Sequence, residues 1–263
     1  MDLRYTEEYE AFRVELQAFL KDNWPLRGEE ADLPAEQGAA RFRERAIAAG
    51  YLARAIPRAY GGGEQEPDVL KATIITEELR RARAPGDAMG LGPSLLVPTL
   101  LDHGVDWQKE KFIGPTMRGE IRWCQGYSEP GSGSDLASLQ TRAELVGDGW
   151  LINGQKTWTS GAQAADYMFC LCRTEPGAEK HAGISYLLID MKQPGIEVRA
   201  LKQMTGDSHF NEVFFTDART PADWIVGERG QGWIVSRSTL KHERNMIGNA
   251  SRTEGLFRSV GRL

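Results

Sequence analysis

Two short segments of the chain carry residues suited to holding a flat cofactor that bears phosphates. They are WCQGYSEPGSGSD, from Trp123 to Asp135, and NGQKTWTSG, from Asn153 to Gly161. A loop rich in serine and glycine offers backbone N–H groups to anionic oxygens, and a tryptophan nearby offers an aromatic wall. Either segment alone supports such a site weakly, whereas the pair predicts one.

The first segment has the composition of an anion-binding loop. Gly131 and Gly133 permit a positive φ or the close approach of a ligand, while Ser132 and Ser134 add hydroxyl donors. The structural alternative is a loop that only turns between two elements, and loop composition alone favours that alternative. The pattern GxGxxG is absent and the segment precedes strands, so a dinucleotide-binding fold is not predicted.

The second segment is strand-like, and strand alternation predicts that Trp158 and Ser160 lie on the same face. On that face an indole can pack on a flat ring system while the hydroxyl reaches a ring nitrogen. The structural alternative is a tryptophan packed in the core, which is the commoner environment of this residue in a strand.

Composition excludes several classes of function. The 263 residues are 41% hydrophobic and 26% charged, as in ordinary globular proteins. A net charge of -5 gives no general attraction to nucleic acid or anionic membranes. No apolar run could span a bilayer, and acidic residues near the N-terminus exclude a signal peptide, so we expect a cytoplasmic protein.

The cysteines and histidines do not have the spacing of a metal site. Three cysteines form no CxxC pair, and four histidines are isolated, so neither a disulfide framework nor a protein metal site is predicted. Cys170 and Cys172 are two residues apart in a strand-like run. Both are therefore predicted to face the core.

The hydrophobic pattern changes twice along the chain. Predicted helices cover residues 6–24, with a possible cap at Thr6, and 36–49, 67–83, 93–103, 106–118 and 233–263. Predicted strands cover Leu139–Val146, Trp150–Asn153, Asp166–Arg173, Gly183–Asp190, Ile196–Leu201 and Phe210–Thr216. The sequence GDG at 147–149 and the pair Asn153-Gly154 are predicted turns.

The first segment resembles the flavin signature of acyl-CoA dehydrogenases, because EPGSGSD and the preceding aromatic residue match that motif almost position for position. The triplet Trp158-Thr159-Ser160 resembles the strand that completes the flavin pocket in that family. The resemblance implies FAD as cofactor. It implies ring contacts from Gln125, Tyr127 and Ser128, phosphate and substrate contacts from Gly133 and Ser134, and further cofactor contacts from Trp158, Thr159 and Ser160.

A candidate base lies on the last predicted helix, in the sequence LKHER from Leu240 to Arg244. Oxidising an acyl thioester at Cα–Cβ requires a carboxylate to take the α-proton while the β-hydrogen leaves with its electron pair. Isovaleryl-type, long-chain-type and some steroid-degrading members place this glutamate in a Leu-x-x-Glu-Arg context. The resemblance implies Glu243 as base and Arg244 near the thioester or CoA. The alternative is surface ion pairing on the helix.

The resemblance covers the whole chain and implies an α+β fold class. It divides the chain into a helical N-terminal domain over residues 1–120, a central antiparallel β domain over 121–226, and the first helix of a truncated C-terminal bundle over 227–263. Family members continue beyond this point and complete the bundle. We expect a truncated or split reading frame, a fragment of a longer protein, or a subunit whose partner supplies the rest; truncation is favoured.

The leading hypothesis is an FAD-dependent acyl-CoA dehydrogenase that forms a trans-2-enoyl-CoA. Its expected partners are an acyl-CoA substrate, an electron-transfer flavoprotein, and further copies or a different subunit in an oligomer. One alternative is a non-catalytic, flavin-binding subunit of a heteromeric complex. Another is an acyl-CoA oxidase or flavin-dependent monooxygenase of the same fold, in which the reduced flavin would react rapidly with oxygen.

Overall fold

The computed structural model describes residues 5–247, with side chains described through Arg244. The chain forms two compact units. One comprises Met1–Met89 and Lys109–Ile121, and the other comprises Gly90–Gln108 and Arg122–Leu263. The predicted domain boundaries at residues 120 and 226 stay predictions, and the predicted helical residues beyond 247 lie outside the described part of the chain.

Helices dominate the N-terminal part of the chain, as the 3.6-residue periodicity predicts. The described α-helices are α1 (Glu7–Asn23), α2 (Ala35–Ala48), α3 (Val69–Ala82), α4 (Val97–His103), α5 (Asp106–Arg118) and α6 (Gly232–Ile247). Leu16, Phe42 and Ile74, from the first three helices, are fully buried. None of the described helices is long and apolar enough to cross a membrane.

The starts of α1 and α3 agree only in part with the sequence prediction. Thr6 occupies the N-cap position of α1, but its side chain makes no capping hydrogen bond. Asp68 instead caps α3, where its carboxylate accepts a hydrogen bond from the backbone N–H of Lys71 at 2.9 Å. The predicted helix over residues 93–103 is also divided, because a π-helical turn over Gly92–Leu96 leads into α4.

The central part of the chain forms an eight-stranded sheet. Its strands are β1 (Trp123–Gly126), β2 (Arg142–Val146), β3 (Gly149–Ser160), β4 (Tyr167–Arg173), β5 (Ile184–Asp190), β6 (Ile196–Leu201), β7 (Phe210–Pro221) and β8 (Ile225–Val226). The order is β6-β7-β3-β2-β4-β5-β8, with β1 beside β4. The pairings are antiparallel except for β1 with β4 and a single contact of β2 with β4. The predicted α+β fold class is confirmed.

The core beneath the sheet confirms the predicted direction of two cysteines. Cys170 and Cys172 are fully buried, as is Cys124 on the neighbouring strand. The Sγ atoms of Cys170 and Cys172 are 3.7 Å apart, and both thiols are free. Apolar side chains at every second position of β4 and β5 therefore meet in one layer, as period-two alternation requires.

One predicted turn is correct and the other is wrong. Val146 pairs with Gly149, so Gly147, which has a φ of +65°, and Asp148 form a tight hairpin turn. Asn153-Gly154, however, lies inside β3, where a bulge shifts the register against β7. Gly154 has a φ of +149°, so the glycine that suggests a turn instead permits a bulge within a continuous strand.

Replacing Gly154 with alanine is expected to lower the free energy of unfolding by about 1–3 kcal/mol, because both conformation and space oppose a side chain. An added Cβ would lie 2.6 Å from the Cα of Thr141. Urea unfolding without added cofactor measures the change. Gly133→Ala is the matched control, since no heavy atom lies within 4 Å of its Cβ position. Equal losses in the two variants would contradict the explanation.

Candidate cofactor site

The loop that follows β1 is closed by its own hydrogen bonds. The N–H of Glu129 donates to the carbonyl of Ser132 at 2.9 Å, and the reverse bond is 3.0 Å long. The Ser132 hydroxyl donates to the carbonyl of Asp135 at 2.8 Å, so this hydroxyl maintains the loop. Its predicted role as a free donor is wrong, whereas Ser134 is exposed to solvent.

The two glycines of the loop leave room for a ligand but do not adopt a positive φ. Neither Gly131 nor Gly133 has a positive φ. No heavy atom lies within 4 Å of a Cβ built on either residue, so the space beside both backbones is open. A ligand can therefore approach the backbone closely at Gly133 and Ser134.

A buried ion pair joins the two segments that the sequence analysis singled out. Lys156 Nζ on β3 lies 2.8 Å from Glu129 Oε1 and donates to the carbonyl of Tyr127 at 3.1 Å. The Glu129 carboxylate also accepts from the N–H groups of Gln140 at 2.6 Å and Thr141 at 2.9 Å. Lys156 is 0% exposed and Glu129 is 8% exposed, so the pair is sheltered from water.

The surroundings of Glu129 keep its carboxylate ionised. Burial alone would raise its pKa, but the positive charge and hydrogen bond of Lys156 and the backbone N–H of Gln140 outweigh burial. The pKa of Glu129 is therefore below the ordinary value of 4.5. Sequence reasoning missed this pair, although a lysine inside a strand of otherwise apolar and polar uncharged residues was a usable signal.

Three predicted cofactor residues contain buried polar atoms that have no hydrogen-bond partner in the described part of the chain. These atoms are Gln125 Nε2, Tyr127 OH and Thr159 Oγ1. An unsatisfied buried group typically costs about 1–3 kcal/mol, so such groups cluster where a ligand or water supplies the partner. The donor set of an amide and two hydroxyls fits the nitrogen and carbonyl edge of a flavin ring.

The Tyr127 hydroxyl lies in a group of hydroxyls under α6. Burial, its main influence, raises the pKa of Tyr127, the nearby side chains of Thr239, Tyr186 and Gln125 oppose that rise, and the charge of Glu243 adds the smallest contribution to it. The ring of Tyr127 packs edge-on against the ring of Tyr186, with 6.3 Å between the ring centroids. Thr239 Oγ1 on α6 is 3.5 Å from Tyr186 OH and 2.9 Å from Thr99 Oγ1. These contacts place one face of α6 over the predicted ring-binding residue.

The two predicted residues near the end of α6 face different directions. Glu243 is half-buried, one turn after the buried Thr239, and its charge acts on Tyr127. Arg244 is exposed, and its Nε donates to the carbonyl of Leu240 at 3.3 Å. Arg244 also lines a separate cleft of about 380 Å³ with Arg237. Glu243 thus lies on the face of α6 that carries Thr239, and Arg244 lies on another face.

Trp158 is not a core residue. The residue is 63% exposed, and its ring packs edge-on against the ring of Phe210, with 5.9 Å between the ring centroids. A bulge between Lys156 and Thr159 adds one residue to β3, so simple alternation does not describe this segment. Thr159 is buried and Ser160 is half-buried.

The second segment is attached to the first beside the ion pair. The N–H of Thr157 donates to the carbonyl of Ser128 at 2.9 Å. A cleft of about 440 Å³ lies on the other side of the loop, lined by Glu129, Pro130, Gly131, Ser132, Ser138, Gln140, Thr141, Gly154 and Gln155. Gly131 and Ser132 of the predicted anion-binding loop line it, whereas none of the cofactor residues implied by the family resemblance does. The roles predicted for those residues stay predictions.

Comparison with known proteins places the chain among related sequences and folds. The profile of the acyl-CoA dehydrogenase N-terminal domain matches residues 6–120, and that of the acyl-CoA dehydrogenase middle domain matches residues 124–218. Acyl-CoA dehydrogenase IpdE1 of Mycobacterium tuberculosis (strain ATCC 25618 / H37Rv) is 44% identical over 251 residues, which cover 91% of this chain and 64% of the relative.

Two solved structures have the same fold. The ChsE4-ChsE5 complex from Mycobacterium tuberculosis matches 92% of this chain and 61% of its own chain, with a TM-score of 0.65 and 33% identity. The match to the Tcur3481-Tcur3483 steroid ACAD covers 93% of this chain and 63% of the solved chain, with a TM-score of 0.64 and 32% identity. The chain thus spans less than two thirds of the length of these relatives. Since the two profiles together cover most of its length, the chain belongs to the acyl-CoA dehydrogenase family.

Proposed function

We propose that this chain is the flavin-binding part of an FAD-dependent acyl-CoA dehydrogenase. The protein converts an acyl-CoA thioester to the trans-2-enoyl-CoA and passes the electrons to an electron-transfer flavoprotein. The observation that carries the proposal is the set of buried, unpartnered polar atoms on Gln125, Tyr127 and Thr159, inside the two segments that match the family's flavin motifs. We place the protein in the cytoplasm, as part of an oligomer.

The residues of this chain divide the work of binding. The amide of Gln125 and the hydroxyls of Tyr127 and Thr159 would hold the polar edge of the isoalloxazine ring, and Trp158 would cover it. The open backbone at Gly133 and the exposed Ser134 would receive the phosphates and the thioester. Ser128 and Ser160 complete the proposed set of ring contacts.

The chemistry requires one proton acceptor from the chain. A Glu243 oxygen takes the proton from the α-carbon of the thioester, and the electron pair of that C–H bond forms the new double bond. Bound FAD supplies the acceptor for the β-hydrogen and its electron pair. Arg244 is proposed to contact the thioester or CoA only after a change of rotamer, since its side chain faces away.

The test is whether the protein binds FAD and responds to substrate. The purified chain, or its complex with a co-purifying partner, is titrated with FAD and its absorbance near 450 nm is followed anaerobically with straight-chain and steroid-ring acyl-CoA thioesters. Steroid thioesters are included because one solved relative is called a steroid ACAD. Bleaching by an acyl-CoA is the expected result. A protein that neither carries nor takes up FAD would refute the proposal.

A second candidate function is a flavin-binding subunit whose partner chain supplies the catalytic base. It is favoured by the two solved structures, each of which is named for two different components. In such an assembly Glu243→Gln would leave the activity of the complex unchanged. Co-expression with the neighbouring gene followed by size-exclusion chromatography tests whether such a partner exists.

A further inference from the structure

The backbone of Trp158 is held in an unusual conformation. Its φ is +57°, which is the left-handed region, and bulky side chains rarely adopt it. Its indole is nevertheless 63% exposed, so core packing of that side chain does not explain the conformation. A strained conformation of this kind persists only where surrounding contacts over-determine it.

One side of the segment is fixed by the loop after β1. Lys156 is held by Glu129, and the N–H of Thr157 donates to the carbonyl of Ser128 at 2.9 Å. These contacts position the residues before Trp158. They do not position the residues after it, where the bulge ends and the pairing of Thr159 with Asn211 on β7 resumes.

The other side is fixed by the side chain of Asn211. Its Nδ2 lies 3.0 Å from the carbonyl of Thr159, 3.2 Å from the carbonyl of His209 and 2.6 Å from Gln163 Oε1. Asn211 is 0% exposed. The carbonyl of His209 also accepts a hydrogen bond from the N–H of Gly161 at 3.0 Å. The side-chain amide of Asn211 therefore connects the carbonyl of Thr159, directly after Trp158, with the carbonyl that binds Gly161.

The surroundings of Asn211 require a donor. Its NH₂ group faces three oxygen acceptors, while its Oδ1 has no partner among the described residues, so the side chain acts entirely through its donor end. Leucine has nearly the same shape and no donor. Aspartate has the same shape and would set a carboxylate against carbonyl oxygens, which is repulsive.

We infer that Asn211 is a positioning residue for Trp158: its amide holds the end of the bulge so that the indole projects from β3 as a preorganised wall. The effect of Asn211 on cofactor affinity rests on the proposed function, because only a ligand that stacks on Trp158 would sense the position of the indole. The effect of Asn211 on the conformation of Trp158 is independent of the proposed function. Asn211 itself is buried on β7 and pairs with Thr159, so it acts through the strand.

The first test uses the protein without cofactor. Asn211→Leu is prepared in chains with and without Trp158→Phe, because the chain has seven tryptophans and the difference isolates the signal of Trp158. Acrylamide quenching of that signal is expected to change in Asn211→Leu. Asn153→Leu is the matched control, since Asn153 and Asp217 join the other bulge between the same two strands at 3.0 Å. Unchanged quenching in Asn211→Leu would overturn the inference.

The second test is a double-mutant cycle on FAD affinity. Asn211→Leu is expected to weaken FAD binding by about tenfold in the wild-type background and by little in Trp158→Phe. Both substitutions remove the same contact, which is the stacking of the Trp158 indole on the flavin. Equal weakening in both backgrounds would overturn the positioning role. If Asn211→Leu does not fold, Asn211→Ala, which also removes the donor and adds no bulk, replaces it in both tests. A wild-type chain that fails to bind FAD refutes the proposed function, while the quenching test still decides the role of Asn211.

Discussion

Replacing Lys156 with methionine is expected to lower the free energy of unfolding by about 3–5 kcal/mol, because it leaves a buried carboxylate without its counter-ion. Glu129 keeps its two backbone N–H donors but loses the ammonium group at 2.8 Å. The carbonyl of Tyr127 also loses its donor at 3.1 Å. Because the pair joins the loop to β3, FAD affinity should fall together with stability.

Two further variants separate this explanation from a general effect of losing a lysine. Lys180→Met removes an ion pair with Asp135 in which the two side chains are 54% and 60% exposed, and it should change stability far less than Lys156→Met does. Adding Glu129→Gln to Lys156→Met should recover part of the loss, since no buried charge then remains. Urea unfolding of all variants at one pH gives the comparison. Similar losses for Lys156 and Lys180 would contradict the buried-pair account.

The pH dependence of stability provides an independent check. In the wild type, the pKa of Glu129 is lowered, so its stabilising contribution is present above the ordinary value of 4.5 and is lost as the pH falls through the folded-state pKa. In Lys156→Met, burial acts without the counter-ion and should raise that pKa. Stability of the variant should then fall as the pH rises through the raised pKa. If the unfolding free energies of the two proteins changed with pH in parallel, Glu129 would not be the group responsible.

Replacing Glu243 with glutamine is expected to reduce the rate of enoyl-CoA formation by about 10²–10⁴-fold, because an amide cannot accept the α-proton. The variant should bind FAD as the wild type does, and its unfolding free energy should change little. Glu243 is half-buried and lies one turn after the buried Thr239, on the same face of α6. The rate is measured with an artificial electron acceptor on the assembled protein.

A neighbouring residue on the same helix serves as the control. His242 contacts Asp102 at 3.2 Å and has no proposed part in the chemistry, so His242→Gln should retain activity. The anaerobic bleaching of bound FAD in a single turnover should be slow only in Glu243→Gln. Full activity of Glu243→Gln would place the base elsewhere and would favour the function as a subunit of a heteromeric complex.

Local patterns in the sequence determined the elements and the candidate segments. The 3.6-residue and two-residue periods predicted the helices and most strands, GDG predicted the hairpin turn, and Cys170 and Cys172 were predicted to face the core. These features depend on φ preferences and on side-chain direction within a few residues. The same kind of local match made the loop from Trp123 to Asp135 the candidate cofactor segment.

Only the tertiary structure decided which distant residues meet. Lys156 reaches Glu129 across 27 positions in sequence, and Asn211 reaches Thr159 across 52. Both contacts depend on the register of β3 against its neighbours, and two bulges shift that register. An Asn-Gly pair has the same local preference in a turn and in a bulge, so sequence could not separate them. Sequence thus determined the chemistry available near the site, and the long-range strand pairing decided its geometry.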